Sequence, residues 1–227
     1  MKGMILAAGL GTRLKPFTDA SPKALYPVGG MTLLEHAVNH LKSAGITDVI
    51  INVHHFADQI IRFILLNEGF GMNFAVSDER GELLETGGGV KKAAWFFHDP
   101  EYAVVRNVDV LSDLDLNKMA EAHRLSSALA TLAVRDRVTN RYFLFDERMR
   151  LCGWENRKTG EKRISAACDH PRALAFSGIQ ILDPSIFPLI TEEGKFSLTS
   201  LYLRLARNHR IEGYLDDGQI WEDAGKQ

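Results

Sequence analysis

The sequence predicts an α/β protein built on a mixed, mostly parallel sheet with helices on both faces. Three observations lead there. Short apolar runs alternate along the chain with segments of helical spacing, as in a sheet layered between helices. Asp48-Val49-Ile50-Ile51-Asn52-Val53 has almost no polar alternation, the pattern of a strand buried on both faces of a parallel sheet. Finally, 45% of the 227 residues are hydrophobic, enough for one substantial core or two small ones, and no repeat, low-complexity tract or long linker divides the chain.

The elements follow in order. Gly3 to Ala7 reads as a buried strand that runs straight into a glycine-rich loop. Leu33, Leu34, Ala37, Val38 and Leu41 recur at helical spacing, and Gly45 is placed to end that helix. Asp48 to Val53 is the second strand, and Ile60, Ile61, Ile64 and Leu65 mark a second helix. Three glycines, Gly87 to Gly89, precede Val90; they read either as a close backbone approach to a ligand or as a flexible turn before a helix. Trp95, Phe96 and Phe97 read as core or partner surface, since no basic stripe accompanies them. Tyr102 to Val105 is a further strand, closed by the polar turn Arg106-Asn107-Val108-Asp109. Asp113 and Asp115 read as caps of a helix beginning near Asn117. Ala128 to Val134, Tyr142 to Phe145 and Ala175 to Leu182 are later strands. Leu198, Leu201, Leu205 and Ala206 mark a last helix, and Gly213 to Trp221 is strand-like. Right-handed crossovers put the loops after parallel strands on one edge, so the opening loop and the Asp109 turn should face each other across a cleft.

Composition removes several function classes. Lys and Arg number 27 against 29 Asp and Glu, a net charge of −2, so no general nucleic-acid or membrane surface is expected, and anion binding must come from local placement of charge. The stretch before the first glycines is too short for a signal peptide, and no apolar run reaches transmembrane length. Cys152 and Cys168 form no metal-spaced cluster, the usage of a reduced, cytoplasmic protein. His54 and His55 lack a carboxylate or thiol partner at ligand spacing and read as structural.

The loop Gly9-Leu10-Gly11-Thr12-Arg13-Leu14 admits three phosphate readings. A dinucleotide fingerprint fails because Leu14 stands where the third glycine belongs. A P-loop fails for want of Gly-Lys-Ser/Thr. A phosphate loop of another type survives: the glycines let backbone N–H groups approach an anion, and Arg13, joined by Lys23 after the stiff Pro22, adds fixed positive charge. On spacing alone, an ordinary surface loop with two solvated cations stands beside it.

Leu6-Ala7-Ala8-Gly9-Leu10-Gly11-Thr12-Arg13-Leu14-Lys15-Pro16-Phe17-Thr18, followed by Ser21-Pro22-Lys23-Ala24-Leu25, resembles the signature of the sugar-1-phosphate nucleotidyltransferases. That signature is a strand, then Ala-Ala-Gly-x-Gly-Thr-Arg-x-x-Pro-x-Thr, then Pro-Lys-x-Leu. Leu83 to Ala93 is similar to the family's second nucleotide loop, Val104 to Asp115 to its strand-then-Asp element, Ala175 to Phe187 to its sugar-side strand, and Trp221 to Lys226 to its closing Trp-x-Asp-x-Gly. The likeness spans nearly the whole chain and implies a single Rossmann-like nucleotidyltransferase domain, residues 1–227. The length and the Leu84-Glu85-Thr86-Gly87-Gly88-Gly89 version of the second loop resemble small bacterial members acting on N-acetylmuramate 1-phosphate, with compact mannose-1-phosphate guanylyltransferases as close relatives.

The resemblance implies an enzyme in which a sugar-1-phosphate oxygen attacks the α-phosphorus of a nucleoside triphosphate and pyrophosphate leaves. It favours UTP with an N-acetylated amino sugar 1-phosphate; GTP with mannose 1-phosphate is the alternative. A non-catalytic nucleotide-sugar-binding regulator is the rival of another class, but Arg13, Lys23 and Asp109 are all intact. The implied catalytic residues are Arg13, Lys23 and Asp109. The implied nucleotide-binding residues are Leu6, Ala7, Ala8, Gly9, Gly11, Thr12, Arg13, Lys23, Glu85 and Gly88. Asn107, Ser177 and Gly178 are implied on the sugar side, and Asp109 and Asp223 as ligands of Mg²⁺. Asp109 read by itself is more readily a turn or cap residue than a ligand. Where larger relatives carry Glu-Lys-Pro, this chain has Glu155-Asn156-Arg157-Lys158, so the cation gripping the sugar phosphate is unassigned. Relatives continue past the Asp223 segment into another helix, and the loop holding Asp223 is expected to be loosely held.

Overall fold

The computed structural model describes residues 1–98 and 101–225. The first half contains β1 (Lys2–Leu6), β2 (Pro27–Val28), β3 (Met31–Thr32), α1 (Leu33–Ser43), β4 (Asp48–Val53), α2 (Ala57–Leu66), β5 (Asn73–Asp78) and α3 (Glu85–Lys92). The second contains β6 (Ala103–Asn107), β7 (Val110–Ser112), α4 (Leu116–Ser126), β8 (Ala130–Arg135), β9 (Arg141–Phe145), β10 (Leu151–Asn156), β11 (Glu161–Ile164), β12 (Arg172–Leu182), α5 (Leu198–Leu205), β13 (Ile211–Leu215) and β14 (Trp221–Asp223).

Among the described residues, ten strands form one mixed sheet of order β11-β10-β9-β12-β6-β1-β4-β5, with β8 and β13 branching from β12. β5, β4, β1 and β6 are mutually parallel, and β12 joins β6 antiparallel. β4 lies on one side of β1 and β6 on the other, so the chain reverses its winding direction at β1. Ligands of open α/β sheets bind beyond the carboxyl ends of the strands at such a point. The glycine loop leaves β1 there, and the Asn107-Val108-Asp109 turn leaves β6 there.

Two cores flank the sheet because side chains of a strand alternate between faces. Ile5, Ile51 and Val104 pack with α1, α2 and α4 on one side; Met4, Ile50 and Val105 pack with α3 and α5 on the other. The predicted apolar face of α1 is fully buried, and its start is set by a capping box in which the Glu35 N–H donates to Thr32 Oγ1 and Glu35 Oε2 accepts from the Thr32 N–H. No helix among the described residues is long and apolar enough to cross a membrane.

Several elements differ from the sequence reading. Gly87 to Gly89 are neither a loop nor a turn but lie buried within α3. Asp115 caps α4 through the N–H groups of Asn117 and Lys118, whereas Asp113 instead accepts from the N–H groups of Gln219 and Ile220. The strand-like stretch Gly213 to Trp221 is split: β13 pairs with β8, and β14 pairs with β7 in a separate antiparallel ribbon. Phe97 is core, while Trp95 stays largely exposed. His54 is structural, hydrogen-bonded at 2.7 Å to the Glu79 carbonyl.

Candidate active site

A cleft of about 680 Å³ opens over the carboxyl ends of β1 and β6. The glycine loop forms its centre, with Leu6, Ala7, Ala8, Gly9, Gly11, Thr12 and Arg13 on the wall. Gly11 holds the loop close to its own base: it adopts φ +62°, and a Cβ there would lie 2.8 Å from Lys23 Cβ and 2.9 Å from Thr18 Cγ2. Thr18 Oγ1 in turn donates to the Gly11 carbonyl at 3.0 Å. The loop is therefore seated on Thr18 and Lys23, with room for nothing larger than glycine. Gly9 by contrast faces open space.

Four charged groups meet beside this loop. Lys23, only 8% exposed, ion-pairs with Asp109. Arg13 Nη1 lies 3.9 Å from Asp223 Oδ2. The two halves are joined, since Asp223 stands opposite Val110 in the β14–β7 ribbon and the Ala224 N–H donates to the Asp109 carbonyl at 3.0 Å. A Cβ on Gly225 would collide with Lys23 Nζ and lie 3.1 Å from Asp223 Oδ1. Asp223 thus arrives beside Asp109 by way of the small ribbon and not from the end of a strand of the main sheet, although the stretch before it, Gly213 to Trp221, read as strand-like. The segment is also firmly held, contrary to expectation: Trp221 Nε1 donates to the Ser177 carbonyl at 2.9 Å, and the Arg137 guanidinium lies over the Trp221 ring at 3.9 Å. Lys226, the last residue of the quoted closing motif, lies outside the described residues.

The Asp109 turn rests on a buried cation. Arg106 is 1% exposed; it donates to the Val110 carbonyl and, at 2.6 Å, to His40 Nδ1. His40 Nε2 donates to the Leu114 carbonyl at 2.7 Å, so its other nitrogen is free to accept. Burial first, and the Arg106 charge second, hold His40 down to about 4, so it is neutral at pH 7. Burial brings Arg106 down to about 10, opposed by the nearby Asp109, so it stays cationic.

The rest of the wall divides into two ends. On the β4/α3 side, Asn52 Oδ1 accepts from the Ala7 N–H at 2.7 Å while its Nδ2 donates to Glu79 Oε1 at 2.7 Å. Leu83, Glu85 and Thr86 complete that end. Gly88 does not reach the wall; a Cβ there would lie 2.5 Å from the Gly194 carbonyl, so this glycine serves the packing of α3. On the β12 side the wall is Asn107, Phe143, Trp154, Phe176, Gln180 and Tyr202, with Arg141 as the third lining cation among the described residues. Ser177 and Gly178, expected on the sugar face, lie behind it. Ser177 is fully buried, and Gly178, at φ +83°, lets Asn107 and Val110 pack where a Cβ would lie 2.6 Å from Val110 Cγ2. Their neighbours Phe176 and Gln180 present the wall instead.

Sequence reasoning missed Asn52, Arg106, Arg141 and Gln180. Asn52 did carry a signal, as a lone polar residue in an otherwise apolar strand interior. Among the described residues, no group of three or more His, Cys, Asp or Glu side chains is arranged for a metal. A cation at Asp109 and Asp223 would draw its remaining ligands from phosphate oxygens and water, the habit of Mg²⁺.

Comparison with known proteins identifies the family and the fold. The family model described as nucleotidyl transferase matches residues 2–227. The chain is 32% identical to the N-acetylmuramate alpha-1-phosphate uridylyltransferase of Caulobacter vibrioides, over 98% of this chain and 90% of the relative. It is 29% identical to a mannose-1-phosphate guanyltransferase of Yarrowia lipolytica, covering all of this chain but 61% of that protein. The fold superimposes on a putative glucose-1-phosphate thymidylyltransferase from Bacillus anthracis with a TM-score of 0.82 at 23% identity, over 100% of this chain and 91% of that one. With a family model spanning the chain and a relative alike over its length, this protein belongs to the nucleotidyl transferase family.

Proposed function

We propose that this nucleotidyltransferase joins uridine monophosphate from UTP to an N-acetylated amino sugar 1-phosphate, N-acetylmuramate 1-phosphate being the leading acceptor. The observation that carries the transfer reading is the meeting of Lys23, Asp109, Arg13 and Asp223 beside the glycine loop at the point where the sheet reverses. A sugar-phosphate oxygen attacks the α-phosphorus, the bond to the bridging oxygen of the β-phosphate breaks, and pyrophosphate leaves. The nucleophile is already an anion, so no general base is needed; alignment and charge neutralisation are. Backbone N–H groups of the loop hold the triphosphate, Arg13 faces the leaving end and Lys23 the α-phosphate. Arg141 supplies the cation for the sugar phosphate that Glu155-Asn156-Arg157-Lys158 does not. Asp109 and Asp223 would hold Mg²⁺, which when bound offsets the charge on the transferring group.

The uridine and N-acetylmuramate assignments lean on the name of the Caulobacter vibrioides relative. The test is a panel of sugar 1-phosphates against each nucleoside triphosphate with Mg²⁺, read as pyrophosphate release. UTP with N-acetylmuramate 1-phosphate should turn over fastest, and EDTA should abolish the signal. Faster release with GTP and mannose 1-phosphate would move the assignment to a guanylyltransferase; no release with any pair would overturn the transfer reading.

A further inference from the structure

The β12 side of the cleft contains three polar atoms without partners. Gln180 is 1% exposed, and neither its Oε1 nor its Nε2 is hydrogen-bonded within the protein. Tyr202 is 1% exposed, and its hydroxyl is likewise unpaired. Both residues line the cleft. They lie on the same side of the sheet, because Gln180 points away from the face that buries Ile179 and Ile181, toward the face on which α5 packs Tyr202. Buried polar groups in folded proteins are almost always satisfied, so orphaned atoms on a ligand cleft point to groups the ligand brings. Burial also raises the Tyr202 phenol, which keeps its proton and remains a donor. Around them stand Phe143, Trp154 and Phe176, an aromatic wall suited to a methyl group or an apolar ring face.

We propose that Gln180 and Tyr202 form an amide-reading subsite that selects acceptor sugars carrying an acetamido substituent over those carrying a hydroxyl. The proposal rests on the transfer reading above and deepens it. A trans secondary amide directs its C=O and N–H to opposite sides, so two separate side chains are needed to take both. Tyr202 O–H donates to the carbonyl, Gln180 Oε1 accepts from the N–H, Gln180 Nε2 donates to a neighbouring sugar oxygen, and Trp154 with Phe176 covers the methyl. A hydroxyl must donate and accept from a single oxygen and brings no methyl to the aromatic wall, so it fills the set less fully, and a site built for a group penalises the ligand that lacks it.

The test pairs N-acetylglucosamine 1-phosphate with glucose 1-phosphate, which differ at one substituent, using UTP and Mg²⁺. The wild-type protein should favour the acetamido sugar in kcat/KM. Gln180→Met, which keeps the length but removes both polar atoms, and Tyr202→Phe should each lower that preference about tenfold or more, through KM for the sugar and not for UTP. Both variants should melt at or above the wild-type temperature, because an orphaned polar atom has been removed. Equal losses with the two sugars, an unchanged preference, or a lowered melting temperature accompanying the loss would assign these residues to packing and overturn the proposal. If the wild-type protein releases no pyrophosphate with any pair, the transfer reading fails. Calorimetric binding of the same two sugar phosphates then judges the subsite: discrimination that vanishes in Gln180→Met supports it, and equal binding overturns it.

Discussion

Lys23 and Arg13 are both cations of one loop region, yet their surroundings give them different roles. The Lys23 side chain is 10% exposed and paired with Asp109, whereas that of Arg13 is 56% exposed and only loosely set against Asp223. Removing Lys23 deletes a phosphate partner and also strands a half-buried carboxylate, at a cost of about 1–3 kcal/mol. Removing Arg13 strands little, and exposed substitutions of that kind change stability by about 0.5 kcal/mol or less. We therefore expect Arg13→Ala and Lys23→Ala each to lower turnover by about 10²–10³, with a fall in denaturation midpoint for Lys23→Ala alone. Steady-state kinetics beside urea titrations separate these outcomes, and wild-type turnover in both variants would remove the phosphate-loop reading. Asp109→Asn and Asp223→Asn should lower kcat far more than nucleotide affinity measured calorimetrically, because the glycine loop and the Asn52-supported Ala7 remain. A matching loss of affinity would show that the two carboxylates act in binding and not in transfer.

At the scale of elements, α3 shows why a glycine triplet is not always a loop. Glycine in a helix interior costs about 1 kcal/mol relative to alanine, so three in succession argue for a loop unless close packing requires them. Here the helix lies directly on the segment that leads into α5: the N–H groups of Gly87 and Gly88 donate to the Phe196 carbonyl at 2.9 and 3.2 Å. A Cβ on Gly88 would stand 2.5 Å from the backbone oxygen of Gly194, an atom that cannot rotate away. Gly88→Ala thus gains helix propensity and loses packing, and the overpacking term of about 1–3 kcal/mol outweighs the gain. The melting temperature should fall by several degrees, at about 2–4 °C per kcal/mol for a domain of this size. A variant as stable as the wild type would show that this contact relaxes freely.

Across the whole molecule, two neutral histidines link the fold to pH. His40 is packed against the Arg106 guanidinium with Asp113 nearby, and His123 is hydrogen-bonded to Thr131 Oγ1 at 2.7 Å under the Tyr102 ring, with Asp183 nearby. Burial holds each of them down to about 4 from an ordinary 6.5. As pH falls below 6.5 the unfolded chain takes up these protons while the folded chain resists until about 4. The unfolded state then binds more protons, and stability declines through that window. The contribution is complete above about pH 6.5 and its loss by the acid end is on the order of 2–3 kcal/mol per histidine. Urea midpoints measured from pH 7.5 to 4.5 should trace this decline, and His40→Gln should flatten part of it. A profile level over that range would contradict the neutral, buried assignment.

Much of this protein is written in its local pattern. The strands β1, β4 and β6 and the helix α1 are legible because period and burial agree there, and Gly9, Gly11, Arg13 and Lys23 stand out as candidates because they carry the resemblance to the nucleotidyltransferase signature, where spacing alone left an ordinary surface loop beside it. What the chain could not declare is everything that depends on which face of an element meets which neighbour. Gly88 and Gly178 differ in no sequence property from glycines that line a ligand, yet one lies against the Gly194 carbonyl and the other behind Asn107. Ser177 and Gln180 lie on one strand, and the irregular pairing of β12 with β8 between Phe176 and Gln180 intervenes before Gln180 reaches the cleft. Asp223 stands beside Asp109 because a three-residue ribbon pairs across 113 residues of chain, from Val110 to Asp223. Local sequence sets backbone preference and polarity, which act over a few residues. The convergence of Lys23, Asp109, Arg141 and Gln180 on one cleft, with Asp223 held beside Asp109, comes from sheet order and long-range packing, which were decided only when the whole chain folded.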